Sequence, residues 1–330
     1  MKSIFLSEMG FAGKVPRNND NMRTEFAWMV GLDADHQNIA KWELVNDYDN
    51  VFLILPKLNT SLNAVGANIS KIENPSAVLY DPRFVEHLKT KNKKVFIIQE
   101  GPSWLFNDYE IQQQFGYINS LLACDGIFVH NNIDKKFYKG ITYNQVAVNV
   151  IPTLMIEDLL PTIPSNGGNM ENKTIIGGNF SRWYGGAQSY LVARLFGNPI
   201  WAQTSHSKRE NEESIPNLQH LPRLSWIEWM KNISTYKYAV HLMPTVAAGT
   251  FSLNCAYYGI PCIGNKDVDT QSNCHPDLSV DVNDIETAVK LAARLRDDNQ
   301  FYIACSKTAN FEYNKKYSES VWKNTMENLL

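Results

Sequence analysis

Between Tyr238 and Gly264 the chain reads YAVHLMPTVAAGTFSLNCAYYGIPCIG, and here residue types and spacing come nearest to a chemical site. An apolar run, Ala239 to Met243, stops at Pro244, and a loop of small residues follows. A helix is expected from Phe251 to Tyr258. Thr250 is its expected N-cap, because a hydroxyl there can accept a free backbone N–H. Gly259 ends the helix, and Pro261 opens the next apolar run at Cys262-Ile263. Gly249-Thr250 at a helix N-terminus offers unpaired N–H groups and the positive end of the helix dipole, a seat for an anion such as a phosphate. The plainer reading is a simple strand-to-helix connection. Two other groupings carry less. Cys255, Cys262, Cys274 and His275 lack any Cys-x-x-Cys spacing, and no zinc site is expected from them. The loop Gly10 to Gly13 (GFAG) lacks the third glycine of a dinucleotide fingerprint.

These residues need elements to hold them. Strands are expected at Lys2–Leu6, Val51–Leu55, Lys94–Ile98, Gly126–His130 and Val146–Ile151. Helices are expected between them, at Met22–Leu32, Arg83–Lys91, Tyr109–Ala123 and Ile133–Tyr138. Pro161 to Asn172 (PTIPSNGGNMEN) is rich in Pro, Gly, Asn and Ser and reads as a linker. The alternation then restarts with strands at Thr174–Ile176, Pro199–Ala202 and Leu218–Leu221, and with helices at Gln188–Phe196 and from Ser225 to Met230. Asp284–Leu295, Phe301–Ala309 and Tyr317–Leu330 read as helices, and Ser205–Ser214 as a polar surface loop. Strands alternating with helices point to parallel sheets covered on both faces, built twice.

The 330 residues fit two domains of about 150 residues each. The 44% apolar and 20% charged content is that of a globular protein, and a net charge of -3 gives no global footprint for nucleic acid. Five widely spaced cysteines suit a reducing compartment. The first residues read as a strand rather than a secretion signal, and no apolar run approaches the roughly 18 residues that span a bilayer. A cytoplasmic protein is expected.

Leu218 to Gly264 resembles the C-terminal domain of GT-B glycosyltransferases of the group 1 and family 4 type. The matching pieces are the strand Leu218–Leu221, the helix Trp226–Asn232, Met243-Pro244-Thr245, Gly249-Thr250, Asn254-Cys255 and Gly259-Ile260-Pro261. In the first half, Val150-Ile151-Pro152-Thr153 resembles the family's VIPNG. The resemblance implies an α/β chain of two doubly wound Rossmann-like domains facing across a cleft. Residues 1–160 would be the acceptor-side domain, 161–172 the linker and 173–316 the nucleotide-sugar domain; 317–330 would be a last helix packing back towards the first domain. It also implies a glycosyltransferase with no cofactor, using a nucleotide-sugar co-substrate, a UDP-sugar, and needing no metal.

Residue by residue, the resemblance places the donor diphosphate at Gly178, Gly249, Thr250 and Phe251, with hydroxyls of Thr250 and Ser252 assisting. Where such enzymes carry two glutamates eight apart, this chain has Val246 and Asn254; Asn254 can still bond a ribose or sugar hydroxyl. The two basic residues usual after the first strand of that domain are also missing, and Arg182 is the candidate for the displaced cation, a bidentate grip on phosphate. Arg223 and Leu224 are placed beside the nucleobase. If the reaction inverts configuration, a base must take the acceptor proton. Glu100 is the first choice, with Asp33, Asp35 or His36 behind it. Gly10, Gly13 and Trp104 fall on the acceptor side, and Trp104 or Trp183 can stack on a ring. His130 and His241 are expected to be structural, His241 as a hydrogen-bonded core residue. The acceptor is open: a glycan, a small molecule, or the hydroxymethylated DNA bases that a phage-type enzyme would modify in a host cytoplasm. Lys89 to Lys94 (KTKNKK) reads as a solvated helix end that can also touch acceptor phosphates. The departures keep open an inactive sugar- or nucleotide-binding module. An NAD-dependent or epimerase-type enzyme is a further alternative.

Overall fold

The computed structural model describes residues 2–7, 9–22, 24–54, 81–99, 101–108, 110–160, 170–178, 180, 183–203 and 212–330. The chain divides into two compact units: residues 1–17, 24–154 and 322–330 in one, and 18–23 with 155–321 in the other.

The first unit carries strands β1 (Ser3–Ser7), β2 (Gly13–Lys14), β3 (Asp35–Asn38), β4 (Asn50–Ile54), β5 (Lys94–Ile98), β6 (Gly126–Val129) and β7 (Val148–Val150). They form one sheet in the order β2-β3-β1-β4-β5-β6-β7. All pairings are parallel except that of β2 with β3. The apolar runs are continuous because both faces are covered. On one face Ile4, Leu6, Val51, Leu53, Val95 and Ile97 pack under helices α2 (Pro82–Thr90), α3 (Ile111–Ala123) and α4 (Asn132–Ile141). On the other, Phe5, Phe52, Phe96 and Phe128 stack in succession at 4.6, 5.3 and 5.1 Å between ring centroids. Helix α1 (Thr24–Gly31) also belongs to this unit. A side chain at Gly31 would strike Leu154 and Trp322, at 2.5 and 2.8 Å. Trp28 and Trp322 both donate their indole N–H to Pro152 O, at 3.1 and 3.2 Å.

The second unit carries β8 (Glu171–Ile176), β9 (Ile200–Gln203), β10 (Leu218–Leu221), β11 (Tyr236–His241), β12 (Cys262–Asn265) and β13 (Ser279–Val280). The sheet is wholly parallel, in the order β10-β9-β8-β11-β12-β13. Counted along this unit that is 3-2-1-4-5-6, the doubly wound order whose direction of winding reverses between β8 and β11. Its helices are α5 (Gly186–Ala193), α6 (Trp226–Ile233), α7 (Thr250–Tyr257), α8 (Asp269–Cys274), α9 (Ile285–Asp297) and α10 (Asn299–Lys316). A last helix, α11 (Glu319–Leu329), carries the chain from this unit into residues 322–330 of the first.

Several elements differ from the expectations. β8 begins at Glu171, inside the stretch read as linker, and pairs with β11 at Tyr236. β2 arises where a loop is expected and β3 in a stretch assigned no element, and GFAG turns the chain back antiparallel onto Asp35-His36. α10 runs to Lys316, well past Ala309, because Ala309 and Tyr313 continue its buried face. α8 is a short helix that no apolar period announces. The expected loop at 205–214 falls mostly outside the described residues.

Candidate active site

In a doubly wound sheet the ligand crevice lies beyond the carboxyl ends of the two strands where the winding reverses. In the second unit those are β8 and β11, adjacent and in register as Val240↔Ile176. Beyond β8 come Gly177 and Gly178, and beyond β11 the loop 242–249 that enters α7.

Three glycines with left-handed backbone shape this edge. Gly178 (φ 75°) lies against Tyr184. Gly185 (φ 65°) caps α5, where Leu242 O approaches so closely that an added Cβ would sit 1.9 Å from it. Gly249 (φ 67°) is the N-cap of α7, and a Cβ there would sit 1.9 Å from Thr270 Oγ1. The cap is thus one residue earlier than expected. Thr250 is the first helical residue, and no side chain caps the helix. The crowding at Gly249, invisible in sequence, decides this: only a glycine fits the left-handed turn beside Thr270. The amides of the first turn therefore lack a capping side chain and carry the positive end of the dipole.

The hydroxyls divide. Ser252 is 2% exposed, and its Oγ donates to Gly249 O (3.0 Å) and lies 2.7 Å from Thr270 Oγ1. Thr270 Oγ1 also donates to Gly249 O, at 2.8 Å. Ser252 therefore fixes the loop from behind, against the expectation that its hydroxyl meets the donor. Thr250 is half-buried, at the first position of the helix. Asn254 is likewise corrected. It is 2% exposed, its amide nitrogen donates to Thr250 O (3.0 Å), and its oxygen accepts from Trp229 Nε1 (2.8 Å). It ties α7 to α6. Thr270 and Trp229 are the supporting residues that sequence reasoning missed, since nothing in spacing links them to the loop.

His241 ends β11. Its ring lies over Gly177, where an added Cβ would sit 2.5 Å from ring atoms, and meets Phe251 at 4.9 Å between centroids. Its Nε2 is enclosed without a hydrogen bond, which overturns the expectation of a hydrogen-bonded core histidine. Burial lowers its pKa to about 4. Beneath α7, His275 Nε2 lies 3.0 Å from Ser252 O, and burial lowers this histidine also to about 4. Cys255, Cys262 and Cys274 are buried thiols.

Arg223 and Leu224 occupy the connection from β10 to α6, Arg223 exposed and Leu224 half-buried. Ser225 is the N-cap of α6, and with Glu228 it closes a capping box there. Trp183 and Tyr184 are 40% and 42% exposed. Arg182 lies outside the described residues, as does Glu100.

The first unit treats its candidates differently. Asp35 opens β3 and so lies at the edge opposite the carboxyl ends, where it accepts from Tyr48 OH (2.7 Å). Asp33 pairs with Lys14. His36 is 1% exposed, bonded to Ser7 Oγ (2.7 Å) and Phe11 O (2.9 Å), and stacked on Phe11 at 4.0 Å. Desolvation by burial lowers its pKa to about 4, against the bond to Phe11, which raises it. Asp35 and His36 are thus engaged elsewhere, while Asp33 stays largely exposed beside Lys14. Gly13 is drawn into β2 opposite His36, while Gly10 has open space around it. Trp104 is 38% exposed, in the turn after β5. His130, directly after β6, is 4% exposed with its ring 4.9 Å from that of Trp28.

No family model matches the sequence, and no curated protein matches it. Solved structures do. An α-glucosyltransferase in complex with UDP and a 13-mer DNA containing an HMU base aligns with 100% of this chain and 99% of its own, at 14% identity and a TM-score of 0.66. The Anabaena protein HepE in complex with UDP aligns over 100% and 99%, at 10% identity and 0.70. Sucrose-phosphate synthase from Thermosynechococcus elongatus aligns over 100% and 98%, at 10% and 0.66. This likeness shows the fold: the chain has the GT-B fold, with two Rossmann-like units. No helix among the described residues is long and apolar enough to cross a membrane.

Proposed function

We propose that this chain is a glycosyltransferase that moves a sugar from a UDP-sugar to an acceptor hydroxyl. One observation carries the reading: at the switch point of a GT-B unit, Gly249 leaves the first turn of α7 without a capping side chain. The amides of Thr250, Phe251 and Ser252 would hold the donor diphosphate, with Gly178 facing it from the end of β8. The acceptor oxygen attacks the sugar's anomeric carbon, and the bond to the diphosphate breaks with its electron pair leaving on UDP. Negative charge grows on that leaving group, and fixed amides aimed at it stabilise the transition state without a metal. Arg182 would add a cation, backbone groups at Arg223 and Leu224 would meet the base, and Glu100 would take the acceptor proton. Gly10, Gly13 and Trp104 are assigned to the acceptor side. Structures of similar fold hold UDP, which supports this donor, and one holds DNA with a modified base, which supports a hydroxymethylated base among the acceptors. Five free, buried thiols support a cytoplasmic setting.

A second reading is a sugar- or nucleotide-binding module without turnover. Asn254, at one of the two positions where the glycosyltransferases it resembles carry glutamate, is spent on Trp229 and Thr250, and Val246 brings no carboxylate to the other. Calorimetric titration with UDP and UDP-glucose, followed by UDP release with hydroxymethylated DNA and glycan acceptors, separates the two. Binding with turnover is expected. Binding alone would leave the module, and no binding of either ligand would end both readings.

A further inference from the structure

We propose that the outer face of α4 in the first unit seats the phosphodiester backbone of a nucleic-acid acceptor. This names the acceptor class and rests on the glycosyltransferase reading. Asn132, Lys135, Lys136, Lys139, Gly140 and Asn144 line a depression of about 500 Å³. None of the three ammonium groups meets a carboxylate among the described residues. Some other described lysines do, among them Lys14 with Asp33, Lys89 with Asp125, Lys290 with Glu286 and Lys316 with Glu312. The one acid of α4, Asp134, is 2% exposed and faces inward, accepting from Ser103 N (2.8 Å) and Asn131 Nδ2 (2.6 Å). In a chain of net charge -3 the helix thus shows solvent only positive charge.

A lysine in a last helical turn can simply offset the dipole. That accounts for Lys139 and not for Lys135 and Lys136, which lie in mid-helix. Side chains three and four apart stand about 5–6 Å from one another, a spacing that lets three ammonium groups meet successive phosphates of one strand. Beyond the helix, Tyr143 and Asn144 both hold left-handed backbone (φ 53° and 56°), with Asn144 N bonded to Lys139 O at 2.8 Å. This turn brings the Asn144 amide to the rim and leaves Tyr143 74% exposed beside it, an aromatic surface on which a base can stack. Because Asn131 caps α4 directly after β6, the patch starts at the carboxyl edge of the sheet, where ligands bind in such folds. A strand lying along α4 is therefore led to that edge. None of the six residues lining the depression has an apolar side chain, which favours a phosphate backbone over a bilayer surface.

The test is fluorescence anisotropy with short labelled DNA, duplex and single-stranded, across about 50–200 mM salt. The wild type should bind, and Lys135→Glu/Lys136→Glu/Lys139→Glu should lose at least about tenfold in affinity and lower the salt slope by about 2–3. The triple Lys→Gln variant should lose less. Lys231→Glu/Lys307→Glu, on the second unit, should bind as wild type, and UDP affinity should stay unchanged in every variant, which also reports an intact fold. The proposal is overturned if the wild type binds neither DNA form at low salt, if the triple variant keeps wild-type affinity, or if polyglutamate competes as well as DNA. DNA binding without UDP turnover would leave the surface standing and count against the glycosyltransferase reading alone.

Discussion

In the first unit the segment after β1 returns as β2 and pairs antiparallel with β3, whereas in the second Gly185 and Gly249, both left-handed, open the helices that follow β8 and β11. Both units are doubly wound, so both have a place where ligand binding is cheap to build. In the first, the polar groups near that place are satisfied internally. His36 bonds Ser7 and Phe11, and Asn38 Nδ2 donates to Met9 O at 3.1 Å. In the second, the first turn of α7 has no side-chain cap and His241 Nε2 has no partner. Buried or clustered polar groups left unsatisfied cost stability, and a fold keeps them where something else will meet them. The contrast is between a helix N-terminus and a histidine left without side-chain partners in the second unit and internally bonded polar groups beside β1 in the first.

Two glycines give the sharpest way to break this contrast. Gly249→Ala must accept φ 67° and a Cβ 1.9 Å from Thr270 Oγ1, whereas Gly13→Ala must accept φ 87° with nothing within 4 Å. The left-handed backbone alone costs about 1–2 kcal/mol. Displacing Thr270, which also bonds Ser252, adds a buried polar defect of about 1–3 kcal/mol. Gly249→Ala should therefore lose about 2–5 kcal/mol of stability and most of its affinity for UDP, and Gly13→Ala only about 1–2 kcal/mol with UDP affinity intact. Urea melts and UDP titration check both. Equal losses at the two sites would mean that the tight packing behind α7 is no special support for the loop.

Acid separates the units next. In an unfolded chain histidine protonates near pH 6.5, but in the fold His241 and His275 stay neutral down to about 4. Between those values the unfolded state binds more protons, so the stability present above pH 6.5 is lost as pH falls through the window, with no further loss below about 4. For His275, 1% exposed, the full window amounts to about 3 kcal/mol. The second unit carries two such histidines and the first carries His36. Hydrogen exchange at pH 7 and pH 5 should show peptides of β11 and α8 losing more protection than those of β1 and β3. The reverse order would show that acid lability lies elsewhere.

Much of this was legible. Continuous apolar runs such as KVFII and GIFVH announced parallel strands, because burial on both faces needs them. The strand–loop–helix around Gly249 was legible because turn glycines and a Gly-x-Pro stop are local signals. What could not be read was who stands behind the loop. Thr270 is 21 residues from Gly249 and Trp229 is 25 from Asn254, and only the fold brings them together. So Ser252 and Asn254, which look like ligand groups in sequence, prove to be braces. In the same way Asp35 and His36 look like reserve bases by residue type alone, and only the pairing of β2 with β3 and the bonds to Tyr48, Ser7 and Phe11 show them engaged.

The smallest expected effect is the most specific. With the cap at Gly249, Thr250 contributes no capping bond, and its backbone O already accepts from Asn254. Thr250→Val keeps the shape and the β-branch and removes only the hydroxyl, so stability should change by less than about 0.5 kcal/mol. If that hydroxyl meets the donor, UDP-sugar affinity should fall about fivefold to tenfold, the worth of one ordinary hydrogen bond at about 1–1.5 kcal/mol. Asn254→Ala should behave in the opposite sense. It leaves Trp229 Nε1 unsatisfied in the interior, costs about 1–3 kcal/mol of stability, and changes donor affinity little while the protein stays folded. The two variants side by side, each read by thermal melting and by donor titration, test whether the first turn of α7 faces a ligand while the second faces the core. Should Thr250→Val prove unstable and Asn254→Ala lose donor binding at full stability, the face of α7 assigned to the ligand would be the wrong one.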